Sequence, residues 1–252
     1  MDRVHEIVGS RKVHQRGILG RHVGIAILDT GITMHPDFDN RILAFRDFVN
    51  YRNWMYDDYG HGTHIAGIAA GNGSMSNGIY CGIAPEADII ALKVLDFRGN
   101  GNISTLMRAL DWILENRERY HIQIVNISVG TIEKEEVGED SELVRAVNRV
   151  WDSGLIVCVA AGNNGPGEGS VTTPGISRKV ITVGSSEGSS DTDYSGRGPN
   201  FSCIIKPDLV APGSNICSCK RLGKPISLRT EENFYYTRKS GTSMATPIVS
   251  GD

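Results

Sequence analysis

Val23-Gly24-Ile25-Ala26-Ile27-Leu28-Asp29-Thr30-Gly31 is an apolar run that stops abruptly at an aspartate and a Thr-Gly turn. A short continuous apolar run bounded by turn residues reads as a strand buried on both faces, the kind that parallel sheets contain. Similar runs recur at residues 89–94, 122–129, 155–160 and 180–183. Between them Leu106, Leu110, Ile113 and Leu114 recur at helical spacing, as do Leu143, Val144, Val147 and Trp151, after which Gly154 serves as a helix stop. This alternation predicts an α/β fold, a mostly parallel sheet covered by helices. Residues 185–239 are richer in turn residues and read as irregular strands and loops, and 133–140 as a solvated charged loop.

With 252 residues, 40% of them hydrophobic, the chain can bury a full core and is expected to form a single domain preceded by a short extension, residues 1–20. A net charge of -3 offers no basic surface for nucleic acid, and no apolar run approaches the roughly 20 residues that span a bilayer. The first twenty residues carry Asp2, Arg3, Glu6, Arg11 and Lys12 in place of the apolar segment of a secretion signal. A cytoplasmic location follows as the expectation, or a secreted one if an upstream segment has been removed. Five cysteines, Cys81, Cys158, Cys203, Cys217 and Cys219, show no paired zinc spacing and read as free thiols.

In open parallel sheets ligands gather beyond the carboxyl ends of the strands. Asp29 closes the first run there, and Asn163 in Ala160-Ala161-Gly162-Asn163 closes the fourth. His61, in Gly60-His61-Gly62-Thr63-His64, and Ser243, in Gly241-Thr242-Ser243-Met244-Ala245-Thr246-Pro247, each stand at the start of an expected helix. A serine hydroxyl becomes a useful nucleophile when a histidine takes its proton and a carboxylate orients that histidine. His61 is the expected base, because Gly62 behind it permits close approach, and His64 one turn later is expected to be structural. Asn163 and the backbone N–H of Ser243 are candidates to hold a developing oxyanion. The spacing lacks the glutamate of a zinc-binding His-Glu-x-x-His, and no phosphate-binding glycine motif is present.

These motifs, in register and in the order Asp, His, Ser, resemble the subtilase family over nearly the whole chain, in the style of its intracellular bacterial branch. The resemblance implies a three-layer doubly wound sheet with helices on both faces, residues 21–252 being the catalytic domain with a shortened C-terminal end. It implies a serine endopeptidase that acts on a protein or peptide substrate bound as an extended strand, with no cofactor needed for the chemistry. The substrate strand would lie between Gly99-Asn100-Gly101 and Ser128-Val129-Gly130, and Ala160, Ala161 and Gly162 would line the pocket for the residue before the scissile bond. By the same resemblance Asp37 matches a calcium ligand, so that calcium enters as a structural ion. Asp57 and Asp58 could add attraction for cationic peptides. The alternative is a catalytically impaired, subtilase-like binding or regulatory protein, disabled by its short C-terminal end while retaining its triad.

Overall fold

The computed structural model describes residues 1–131, 138–186, 193–199, 204–222 and 234–252. Cys203 and most of the expected loop at 133–140 lie outside the described residues. The chain runs α1 (Asp2–Val8), α2 (Ser10–His14), β1 (Gly24–Asp29), β2 (Ile42–Asp47), α3 (His61–Ala70), β3 (Asp88–Lys93), α4 (Ile103–Asn116), β4 (Ile122–Ile127), α5 (Glu142–Asp152), β5 (Ile156–Ala160), β6 (Ile181–Ser185), β7 (Leu209–Ala211), β8 (Ile216–Cys219), β9 (Tyr236–Lys239) and α6 (Thr242–Gly251).

Strands β1 to β7 form one parallel sheet in the order β2-β3-β1-β4-β5-β6-β7. The run Val23 to Leu28 is therefore an interior strand, β1, third from the β2 edge. Every residue of β1 is buried, and alternate side chains feed opposite cores. Ile25 and Ile27 pack with Ile65 and Ile68 of α3 and with Met244 and Ile248 of α6. Ala26 and Leu28 pack with Leu106 and Leu110 of α4 and with Leu143 and Val147 of α5. Helices thus cover both faces, giving three layers. At roughly 25 cal/mol per Å² of apolar surface removed from water, these two cores supply the main drive for folding.

Two parts of the chain went beyond the periodic pattern. Residues 1–20 do not stand apart: Met1 and Val4 are buried in the same core as α3, and the His14 ring meets the Ile83 carbonyl at 2.7 Å. β8 and β9 form a separate antiparallel pair that leans on α3. There the buried His64 places Nε2 3.1 Å from the carbonyls of both Ile216 and Thr237, and Ser218 Oγ donates back to the His64 carbonyl at 2.9 Å. Cys217 and Cys219 are both buried on β8 and Cys158 on β5, all as free thiols.

Candidate active site

Asp29 ends β1, buried, and both of its oxygens lie 2.8 Å from Nδ1 of His61. A ring nitrogen facing a carboxylate carries the proton, which leaves Nε2 of His61 as the free base. Burial lowers the pKa of His61, but the charge and hydrogen bond of Asp29 outweigh it, and the net direction is upward. Lys239 from β9 pulls it down and Asp57 from the loop before α3 lifts it.

The helix that carries His61 is pinned by Asp57. One oxygen of this buried carboxylate accepts from Thr30 Oγ1 at 2.8 Å and from the N–H groups of Tyr59 and Gly60 at 3.2 and 2.6 Å. The other accepts from the N–H and hydroxyl of Thr63 at 2.9 and 2.7 Å. Unpaired N–H groups at a helix start invite such a carboxylate. Gly62 then lets α3 press against the end of β1, since a Cβ there would stand 2.2 Å from the Gly31 carbonyl and 3.1 Å from Asp29 Cβ. Asp58 pairs with Lys93 at 2.7 Å. Asp57 is thus engaged inside the protein, and Asp58 in an ion pair at its surface.

Lys93 was hidden in its apolar run, where one charge among β-formers was the available signal. Fully buried at the end of β3, it donates to the carbonyls of Thr30 and Leu95 at 2.7 and 2.8 Å as well as to Asp58. A buried ammonium is tolerable when its donors are all matched in this way. It braces the turn immediately after Asp29.

Ser243 is the second residue of α6. Its hydroxyl donates to the Ser128 carbonyl at 2.8 Å, while Ser128 Oγ donates to the Ser243 carbonyl at 3.0 Å. Among the described contacts no hydrogen bond joins Ser243 Oγ to His61. Ser128 follows β4, the strand paired with β1, so this lock still holds the start of α6 against the edge where Asp29 sits. Asn163 follows β5, the next strand across. Its Oδ1 accepts from the Thr242 N–H at 2.9 Å and from the Thr242 hydroxyl at 3.1 Å. Because a backbone N–H can only donate, the amide orientation is fixed, and Nδ2 remains the donor beside Gly241.

Gly99, Asn100 and Gly101 follow β3, with Gly101 bridged to Leu95, and Ser128, Val129 and Gly130 follow β4. Between these two segments lies a cavity of about 540 Å³, floored by Val94, Leu106 and Leu143. Ala160 and Ala161 are buried at the end of β5, and Gly162, at φ 94°, donates its N–H to Thr242 Oγ1 at 3.1 Å.

Asp37 sits just past the C-terminal end of α3, where the Asn72 N–H donates to its backbone carbonyl at 2.9 Å, and is fully buried. One oxygen accepts from Ser74 Oγ and the Met75 N–H at 3.1 Å each, the other from Tyr236 OH at 2.8 Å and the Cys219 thiol at 3.6 Å. Calcium takes six to eight oxygen ligands. Here hydrogen-bond donors surround the carboxylate, with an imidazole and a thiol beside it, so the residues present do not fit the calcium that the resemblance implied.

The class, then, is a doubly wound α/β protein with an aspartate, a histidine, a serine and an asparagine assembled along the carboxyl edge of its sheet. The chain belongs to the subtilase family, whose model matches residues 20–251. It is 40% identical over 269 aligned residues to the serine protease AprX of Bacillus subtilis (strain 168), an alignment that takes in 100% of this chain and 61% of that protein. It is 35% identical over 240 residues to Subtilisin Savinase of Lederbergia lenta, covering 94% of this chain and 77% of the relative. Among solved structures, Sphericase superposes with a TM-score of 0.75 at 32% identity, covering 92% of this chain and 76% of that one. A cold adapted subtilisin-like serine proteinase gives 0.71 at 31% identity, with 93% and 74% covered. The chain thus spans about three fifths of the length of AprX.

Proposed function

We propose that this chain is a serine endopeptidase in which Ser243 is the nucleophile, His61 the general base and acid, and Asp29 the group that orients His61. The observation that carries the reading is the doubled 2.8 Å contact between Asp29 and Nδ1 of His61, which fixes Nε2 as the free base. The reaction begins when the Ser243 hydroxyl turns from the Ser128 carbonyl toward Nε2. Catalytic hydrogen bonds are often unmade in a free enzyme and form with substrate bound, so this resting position suits the role. Oγ attacks the scissile carbonyl carbon as its proton passes to Nε2, and Nδ2 of Asn163 with the Ser243 N–H receives the oxyanion. Collapse expels the amine, which takes the proton from His61, and water then releases the acyl group by the same steps in reverse roles.

The acyl part of the substrate lies as an added strand between Gly99-Asn100-Gly101 and Ser128-Val129-Gly130. Strand addition draws its affinity from main-chain hydrogen bonds, for which glycine-rich edges leave room. Ala160, Ala161 and Gly162 bound the pocket for the residue before the scissile bond, and a further apolar side chain fits the cavity floored by Val94, Leu106 and Leu143. A fluorophosphonate probe tests the chemistry: the expected outcome is labelling at Ser243 that disappears in Ser243→Ala and in His61→Ala. A folded wild-type protein that never labels and cleaves no peptide would leave the binding-protein alternative in its place.

A further inference from the structure

Asp37, whose surroundings do not suit calcium, has two neighbours that suit a different cation. Among the described residues, His35, Asp37 and Cys219 form a buried group in which one ligand atom from each side chain lies within 4.8 Å of the others. His35 Nδ1 stands 3.8 Å from Asp37 Oδ1, and Cys219 Sγ stands 3.6 Å from Asp37 Oδ2. Tetrahedral zinc, with bonds of about 2.0–2.3 Å, places its ligand atoms roughly 3.3–3.8 Å apart. Both spacings lie in that range, with one carboxylate oxygen turned to each neighbour.

The imidazole is already in a ligating tautomer. His35 Nε2 meets the Tyr235 carbonyl at 2.9 Å, and Nδ1 meets the Asp37 N–H at 3.1 Å. A carbonyl only accepts and a backbone N–H only donates, so Nε2 carries the proton and Nδ1 the lone pair. An N–H given to a carbonyl behind the ring is how metal-bound histidines are commonly oriented. Charge balances as well: a divalent cation, a thiolate, a carboxylate and a neutral ring sum to zero, which suits a buried site. A set of nitrogen, sulfur and carboxylate oxygen selects zinc over calcium or magnesium. Tyr236 OH, 2.8 Å from the Asp37 oxygen that faces Cys219, offers a fourth donor, while Ser74 Oγ and the Met75 N–H hold the other oxygen in place.

We propose that His35, Asp37 and Cys219 form a binding site for zinc, which clips the turn before β2 to the end of β8. On binding, the S–H bond of Cys219 breaks, an S–Zn bond forms and one proton leaves to solvent, while Nδ1 of His35 exchanges the Asp37 N–H for the metal. Nothing is oxidised or reduced. The clip joins residues 182 positions apart in the chain, so the metal enters as the chain folds and its binding energy adds to folding energy.

The test uses the full chain in a Ser243→Ala background, which makes the outcome independent of the endopeptidase reading. Protein made in zinc-supplemented medium should hold about one zinc per chain by elemental mass spectrometry, the stoichiometry of a mononuclear site. Made with cobalt instead, it should show a sulfur-to-cobalt charge-transfer band together with the visible bands of tetrahedral cobalt. Stripping the zinc with a chelator should lower the melting temperature by about 5 °C. Cys219→Ser and His35→Gln should lower metal content at least about 10-fold, and Cys219→Ser should abolish the sulfur band. Cys81→Ser should keep both, although Cys81 Sγ also stands beside a histidine, 3.3 Å from Nε2 of His5. A chain with Cys219 intact that holds no zinc and shows no cobalt–sulfur band overturns the proposal, however the variants fold. So does a band that survives Cys219→Ser or vanishes with Cys81→Ser.

Discussion

Asn163 is held by its oxygen so that its nitrogen is left to work. Thr242 takes up Oδ1 through both its N–H and its hydroxyl, and the arrangement costs no rearrangement when charge develops nearby. Asn163→Ala is expected to lower kcat by about 100- to 1000-fold with little change in KM, the size measured for such a donor in a subtilisin. Steady-state kinetics on a peptide anilide check it, and a loss confined to KM would remove Asn163 from the reacting centre. Residues of this kind were legible because each sits in its own local motif. Lys93 was not, since a lysine in an apolar run takes on meaning only when the topology lays it against the turn after Asp29. Asp37 was legible as a motif match and still misread, because the groups that surround it come from residues 74–75, 219 and 236.

At the scale of elements, the site depends on how tightly the start of α3 is pressed onto the end of β1. Asp57 gathers the first N–H groups of that helix, and Gly62 supplies the clearance. Gly62→Ala would put a methyl group into the Gly31 carbonyl, so α3 has to move and carry His61 away from Asp29. The expected result is a stability loss of about 1–3 kcal/mol, typical of overpacking, with a disproportionate fall in kcat/KM. Chemical denaturation and anilide kinetics together check this, and full activity in a destabilised variant would show that the contact serves packing alone. The central strands and the helices α4 and α5 could be read from periodicity, since each faces apolar neighbours along its length. β2 and β7 could not: they are the sheet edges, and Leu43, Leu209 and Val210 face outward there, so their pattern lacks a continuous apolar run.

For the whole molecule, buried histidines set the acid limit of stability. Burial pushes His64 down to about 3 and lowers His5 and His35 as well. An unfolded chain protonates these rings near pH 6.5 while the folded one keeps them neutral, so the stabilisation is complete above about 6.5 and is lost as the pH falls toward 3. For His64 alone the span corresponds to at most about 5 kcal/mol. Melting temperature should therefore fall steeply as the pH drops from about 6.5 toward 3. His64→Gln should flatten part of that limb, and an unchanged slope would reassign it to the other groups.

The placement of the reacting groups also has a consequence in time. Asp29 lies in β1, an interior strand, and Ser243 in α6, which packs over β4, β5 and β6 and follows all the described strands. The gap from 29 to 243 is 214 residues, about 10–40 s of synthesis at ordinary ribosomal rates. Until Ser243 is added, the emerging polypeptide lacks the nucleophile that the proposed mechanism requires. On that mechanism no copy can cut itself, or its neighbours on the same message, before the strands that position the site have been made.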